Sequence, residues 1–135
     1  GIGTGMNDLL LVLCTFPDSD SARQLGTALI EKQLAACVNL VPGVESIYRW
    51  EGRVTTAGEV LAVFQTTPAA YPAFATALAA GHPYEVPEIV ALRPESVAEA
   101  YQKWVVGEVA PAITAPPGAP TSPSARRMNK PTKKS

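Results

Sequence analysis

Two cysteines and a single histidine are all the thiol and imidazole ligands that this 135-residue chain offers. Cys14 and Cys37 are too few for a disulfide framework, and thiols without one fit a reducing, cytoplasmic setting. Neither a CxxC nor an HxxxH spacing occurs, so any metal site has to be assembled through the fold or across subunits. The longest purely apolar run is residues 9–14. It falls far short of the roughly 20 residues that cross a bilayer, and no secretory pattern opens the chain; no membrane partner is expected. A nucleophile elbow, a glycine-rich phosphate loop and a metalloprotease helix are all missing. Acid–base chemistry would need paired, tuned groups in a cleft, and no spacing shows such a pair. The expectation is a protein that is not an enzyme.

Charge is also scarce, with a formal net of −1, yet it is unevenly distributed. Residues 111–135 hold Arg126, Arg127, Lys130, Lys133 and Lys134 and no acid. Residues 1–110 hold six basic and twelve acidic residues, a net of −6. An acidic body argues against a nucleic-acid partner, whose affinity rests on neutralising phosphates with cations. The last 25 residues carry six prolines and no apolar period, which reads as a disordered, Pro-rich basic tail. Residues 1–5, ahead of Met6, read as a cloning remnant. That leaves one domain over residues 6–110.

Nearly half of the residues are apolar, enough for a real core. Residues 9–14 predict a central strand buried on both faces. Asp18 or Ser19 can cap a helix over 19–34, where Ala22, Leu25, Leu29 and Ile30 recur at helical spacing. Residues 36–50 are rich in β-branched and aromatic side chains, with Pro42-Gly43 marking a bend or bulge. Glu51-Gly52 is a turn, and residues 60–64 form a strand, so the two segments make one long antiparallel hairpin. Pro68 opens a second helix that ends at Gly81. Residues 88–92 form a short strand. Ser96-Val97-Ala98-Glu99 is a capping box for a last helix with Val97, Tyr101, Trp104 and Val105 on one face. The order β-α-β-β-α-β plus a C-terminal helix is that of an α+β, ferredoxin-like sandwich. Few charges or prolines protect its extended edges between Val60 and Thr66, and pairing with another subunit is the simplest way to satisfy them.

Three stretches stand out: Ala35-Ala36-Cys37-Val38-Asn39, Ser46-Ile47-Tyr48-Arg49-Trp50-Glu51-Gly52, and His82-Pro83-Tyr84-Glu85-Val86-Pro87-Glu88-Ile89. In this order and spacing, together with Thr15-Phe16-Pro17-Asp18, they resemble the signature segments of the CutA divalent-cation tolerance family over about residues 8–108. The resemblance implies a homotrimer, PII-like in fold and assembly, whose long hairpins pack around a three-fold axis. It implies a response to metal ions, with copper or a similar divalent ion as ligand. The chain departs from the family at Gln65-Thr66-Thr67, where the third strand often ends in a Lys-Thr-basic triplet.

Cys37, His82 and Cys14 are the candidate metal ligands, since neutral imidazole and thiolate both suit copper. Each has a structural alternative. Cys14 reads first as a small buried hydrophobe and Cys37 first as a structural residue just before a strand, while His82 reads equally as a helix C-terminal residue bonded locally. Tyr48, Trp50, Tyr84, Glu85 and Glu88 are candidates for a cleft that takes a small molecule. Alternatively, the aromatics are core or subunit interface, Glu85 is a solvated charge, and Glu88 pairs with Arg49.

Overall fold

The computed structural model describes residues 8–110; the expected remnant at 1–5 and the expected tail at 111–135 lie outside the described residues. Seven elements follow one another: β1 (Leu10–Phe16), α1 (Ser19–Glu31), β2 (Cys37–Trp50), β3 (Arg53–Thr66), α2 (Tyr71–Gly81), β4 (Ile89–Leu92) and α3 (Glu99–Glu108). The strands form one sheet in the order β2-β3-β1-β4, and every pairing is antiparallel. This is the ferredoxin-like arrangement expected from the element order.

One face of the sheet is the core. Val12, Cys14 and Phe16 of β1 and Val60, Ala62 and Phe64 of β3 point to it, under Ala22 and Leu29 of α1 and Phe74 and Leu78 of α2. The Phe64 and Phe74 rings meet edge to face at 5.0 Å, a favoured aromatic geometry. Close approach of the helix layer depends on glycine: a Cβ at Gly81 would sit 2.8 Å from Leu25 Cδ1.

α1 is capped by Asp18, whose carboxylate accepts from the Ser21 N–H at 2.8 Å. The helix stops at Glu31 and not at residue 34. Gln33 takes φ +59°, the Gln33 N–H bonds Ile30 O, and the Leu34 N–H reaches back to Leu29 O. These are the paired bonds of a Schellman stop. Gln33 O then accepts from the Ala110 N–H at 2.9 Å, which ties the end of α3 to the end of α1.

The hairpin is longer than its apolar residues suggest. β3 starts at Arg53, seven residues before the predicted strand, because Glu51 and Gly52 both adopt positive φ and close a two-residue turn between Trp50 and Arg53. Such a turn matches the strand twist and propagates pairing from the tip. Two residues, Pro42 and Gly43, oppose Val60 alone at the register shift between Val41 and Val44, and Gly43 has φ +79°. That is the expected bulge.

Three other expectations fail. β1 is fully buried on one face only: Leu10, Val12, Cys14 and Phe16 are buried there, whereas on the other face Thr15 is buried but Leu11 and Leu13 are half-buried, because no α1 or α2 residue lies on that side. α2 begins at Tyr71 and not at Pro68; residues 68–70 form a turn in which the Thr67 hydroxyl accepts from the Ala70 N–H. The capping box at residues 96–99 does not form. The N-cap of α3 is Ala98, with no side-chain capping bond, so Ser96 lies two residues outside the helix. α3 packs Val105 and Val109 with Leu9, Ala36 and Ala70 in a second, smaller core, while Tyr101 and Trp104 stay 40% and 46% exposed.

Candidate functional site

β1 pairs with β3 only from Val60 to Thr66, so this stretch, expected as an unprotected edge, is instead an inner strand between β1 and β2. The rest of β3, Arg53 to Glu59, runs past the end of β1 with β2 as its sheet partner. In this extension Val44, Ser46, Tyr48, Trp50, Thr55, Ala57 and Glu59 share one face by register, the face opposite to α1 and α2. Their exposure alternates with Glu45, Ile47, Arg49, Val54, Thr56 and Gly58 on the other side, all exposed.

Glu59 anchors the extension. It is 3% exposed. Its carboxylate accepts from Ser46 Oγ and from Tyr84 Oη, both at 2.6 Å. A buried carboxylate is tolerated only with such donors. Burial first, then the Glu59 carboxylate, push the Tyr84 phenol far above its usual range, so Tyr84 is a neutral donor at any physiological pH.

Tyr84 sits in the segment between α2 and β4, and His82 fixes that segment to β1. The Thr15 carbonyl lies 2.8 Å from His82 Nε2, and the Tyr84 backbone N–H donates to Nδ1 at 3.0 Å. A carbonyl can only accept and an amide N–H can only donate, so the ring is the neutral tautomer with its proton on Nε2. The ring stacks on Phe16 at 4.5 Å and is 1% exposed. An open groove of about 480 Å³ borders Glu59, lined by Pro17, Gly43 of the bulge, Val44, Glu45, and residues 56–60. Two acids and no base line it.

A second polar cluster lies on the same sheet face at the other end of β3. Gln65, 4% exposed, donates to Asn39 Oδ1 at 3.3 Å and to Val63 O at 3.1 Å. It accepts from Tyr101 Oη at 3.2 Å. Burial first, then the neighbouring Cys37 thiol, raise the pKa of Tyr101. A lysine in place of Gln65 could not accept the Tyr101 hydrogen bond. The neutral residue here is a hub joining β2, β3 and α3.

The three candidate ligands do not come together within one subunit. Cys14 pairs with Ala62 and Cys37 with Gln65, three residues apart on β3, so the two thiols lie on opposite faces of the sheet. Cys14 is fully buried in the core, Cys37 is half-buried, and both ring nitrogens of His82 are engaged. Among the described residues no group of three His, Cys, Asp or Glu side chains is placed to hold an ion. A metal enclosed by one copy of Cys14, Cys37 and His82 does not fit this arrangement. Of the cleft candidates, Tyr48 and Trp50 share the extension face and are half-buried, Tyr84 is buried, and Glu85 and Glu88 are half-buried on the connecting segment. Arg49, the proposed partner of Glu88, donates instead to Gly52 O at the hairpin turn, at 3.4 Å.

Sequence reasoning missed Glu59, Ser46, Gln65 and Tyr101 as members of these clusters. One signal was present for Glu59: it is the sole charge among residues 54–66, at the mouth of an apolar strand, where an acid is buried only with a partner.

Comparison with known proteins bears on this arrangement. The model of the CutA1 divalent ion tolerance protein family matches residues 10–108. A divalent-cation tolerance protein CutA of Thermus thermophilus is 46% identical over 95 residues, covering 70% of this chain and 92% of that protein. The chain spans only 53% of a chloroplastic CutA protein of Arabidopsis thaliana, at 34% identity. Among solved structures, CutA from Xylella fastidiosa superposes with a TM-score of 0.74 at 35% identity, covering 76% of this chain and 99% of that one. A CutA from Archaeoglobus fulgidus described as periplasmic superposes at 0.73 with 28% identity, covering 76% and 99%.

Proposed function

This chain belongs to the CutA1 divalent ion tolerance family, and from that membership we propose that it works as a homotrimer that responds to divalent metal ions, copper or one like it. The carrying observation is the uncovered sheet face. Val41, Val90 and Leu92 are 44%, 42% and 45% exposed there, and Leu13, Leu61 and Val63 beside them are half-buried. A contiguous apolar patch at the centre of a sheet is a binding surface. The β3 extension adds strand edge that β1 does not pair, and such an edge calls for a partner strand. Closed symmetric assembly of identical copies covers both at once, and three copies is the number that the PII-like resemblance implies. Sedimentation of a dilute sample tests this: a trimer mass is expected, and a folded single subunit overturns it.

Metal binding follows from the family, and the geometry restricts its form. Cys37 lies on the uncovered face, where copies would meet, so it is the thiol a shared site would use. Cys14 is enclosed, and His82 would have to give up a hydrogen bond to ligate. Copper titration of the protein beside Cys37→Ser and His82→Ala variants tests the assignment; affinity unchanged in both discards these ligands. The role requires no catalytic step. Cysteines not joined in a disulfide suit a reducing, cytoplasmic place.

One observation favours a second reading, a small-molecule sensor. The groove lined by Glu59 lies on the same hairpin extension that carries Tyr48 and Trp50, so neighbouring copies could close an intersubunit cleft there that draws in Tyr84, Glu85 and Glu88. A ligand well above its dissociation constant raises the melting temperature by mass action. A metabolite screen without any shift, with and without metal, removes this reading.

A further inference from the structure

We propose that residues 111–123, which lie outside the described residues, fold back on α3 and seat their prolines on the exposed Tyr101–Trp104 ring pair. The seat takes its occupant from the chain's own C-terminal extension and calls for no metal ion.

Tyr101 and Trp104 stand one helical turn apart, 40% and 46% exposed, with ring centres 5.7 Å apart and 31° between the planes. The pair is held from below. The Tyr101 hydroxyl donates to Gln65 Oε1 at 3.2 Å, and Val105, next in the chain to Trp104, is buried in the smaller core. The rings are therefore in place before anything meets them, which lowers the cost of binding. Gly107 continues the same row, because residues 101, 104 and 107 fall three apart and share a helix face. A Cβ at Gly107 would meet nothing within 4 Å, so the row is open from the rings to the end of the helix.

The chain leaves α3 at that end. Val109 is already extended, with φ −96° and ψ 133°, and the Ala110 N–H donates to Gln33 O at 2.9 Å, so the point of departure is fixed. Trp104 lies six residues before Ala110, about 9 Å along a helix that rises 1.5 Å per residue. Pro117 lies seven residues beyond Ala110. At about 3.1 Å per extended residue, that length covers the return with chain left over for the reversal. Residues 111–125 carry no charge, and Pro117, Pro120 and Pro123 recur at every third position. Three residues make one turn of a polyproline II helix, so one side of such a helix presents all three rings. Segments of this kind dock on aromatic surfaces at a small entropic cost, because the extended helix is preformed. The cations begin only at Arg126, past the seat, where they stay in water.

Acrylamide quenching reads the cover on Trp104. In the full chain carrying Trp50→Phe, Trp104 is the one tryptophan left. Adding Pro117→Gly, Pro120→Gly and Pro123→Gly should raise its quenching constant by about threefold or more, as the indole face loses the proline rings. In the unsubstituted chain, nuclear Overhauser contacts should join the Trp104 ring to proline ring protons of residues 117–123. Equal quenching with and without the prolines overturns the proposal. So does a Trp104 ring that is freed only when the sample is diluted, which would give the seat to a second copy. Contacts found only between differently labelled chains of a mixed sample overturn it as well. If the Trp50→Phe chain does not fold, the Overhauser contacts decide alone, and their absence overturns the seat.

Discussion

Tyr84 and Glu59 are 25 residues apart in the chain, and their side chains meet at 2.6 Å in a buried contact that binds the segment after α2 to the middle of the hairpin. Tyr84→Phe keeps the ring and its packing and removes one of two O–H donors from a buried carboxylate. The expected loss is about 1–3 kcal/mol, the cost of an unmade bond to a buried acceptor. Urea denaturation should show a lower midpoint with an unchanged slope. Ser46→Ala removes the other donor, and the pair should combine non-additively because they share one acceptor group.

The same contact predicts behaviour in alkali. Tyr84 ionises far above its usual range because of burial and Glu59, whereas in the unfolded chain it ionises near pH 10. Its folded-state pKa is raised, so its contribution to stability is fully present below about pH 10 and is lost as pH rises above that value. Ultraviolet titration should therefore keep the Tyr84 share of the phenol signal un-ionised until the protein unfolds, later than the less strongly raised Tyr101. In Tyr84→Phe the folded protein should lack this late fraction.

Thr15 offers the reverse case. Its hydroxyl is buried with no hydrogen-bond partner among the described residues, and the residue is 4% exposed. Thr15→Val replaces that hydroxyl by a methyl group of similar size on a strand that favours branched side chains. The prediction is stabilisation by about 1 kcal/mol, since an unsatisfied buried hydroxyl carries a desolvation cost that a methyl does not. A melting temperature that falls would show that the hydroxyl has a partner in the assembled protein.

How far this was legible in the sequence depends on range. Apolar periodicity placed every element, and Glu51-Gly52 and Pro42-Gly43 gave the turn and the bulge, because positive φ and ring constraints act within a few residues. The start of β3 was missed because residues 53–59 mix polar and small side chains, and their strand state comes from pairing with β2. The α3 capping box failed for a related reason: the start of that helix is set by where Val105 and Val109 must pack. At the candidate site, Tyr48, Trp50 and Tyr84 were found as aromatics in distinctive stretches. What Tyr84 touches was not, since the Glu59 contact depends on a register no local pattern encodes. Separation of Cys14 from Cys37 is a matter of strand parity, and it follows only once both pairings with β3 are known.

Parity also supplies the sharpest test of the uncovered face. Val63 pairs with Leu13 and Asn39 at the centre of that face, half-buried within its own chain. Val63→Glu points a carboxylate at whatever covers the sheet. In a lone subunit the new side chain reaches water, at a cost of roughly 1 kcal/mol of lost apolar burial. In an assembly it becomes an unpaired charge between copies, which costs several kcal/mol. Since about 1.4 kcal/mol is a factor of ten, association should weaken by at least a hundredfold. Ile47→Glu is the control: Ile47 is 66% exposed and faces the opposite way in the extension. Sedimentation at graded concentration should show Val63→Glu dissociating where Ile47→Glu stays assembled, with circular dichroism reporting whether the separated subunit keeps its sheet. Equal assembly in both variants would mean that the face around Val63 is not where copies meet.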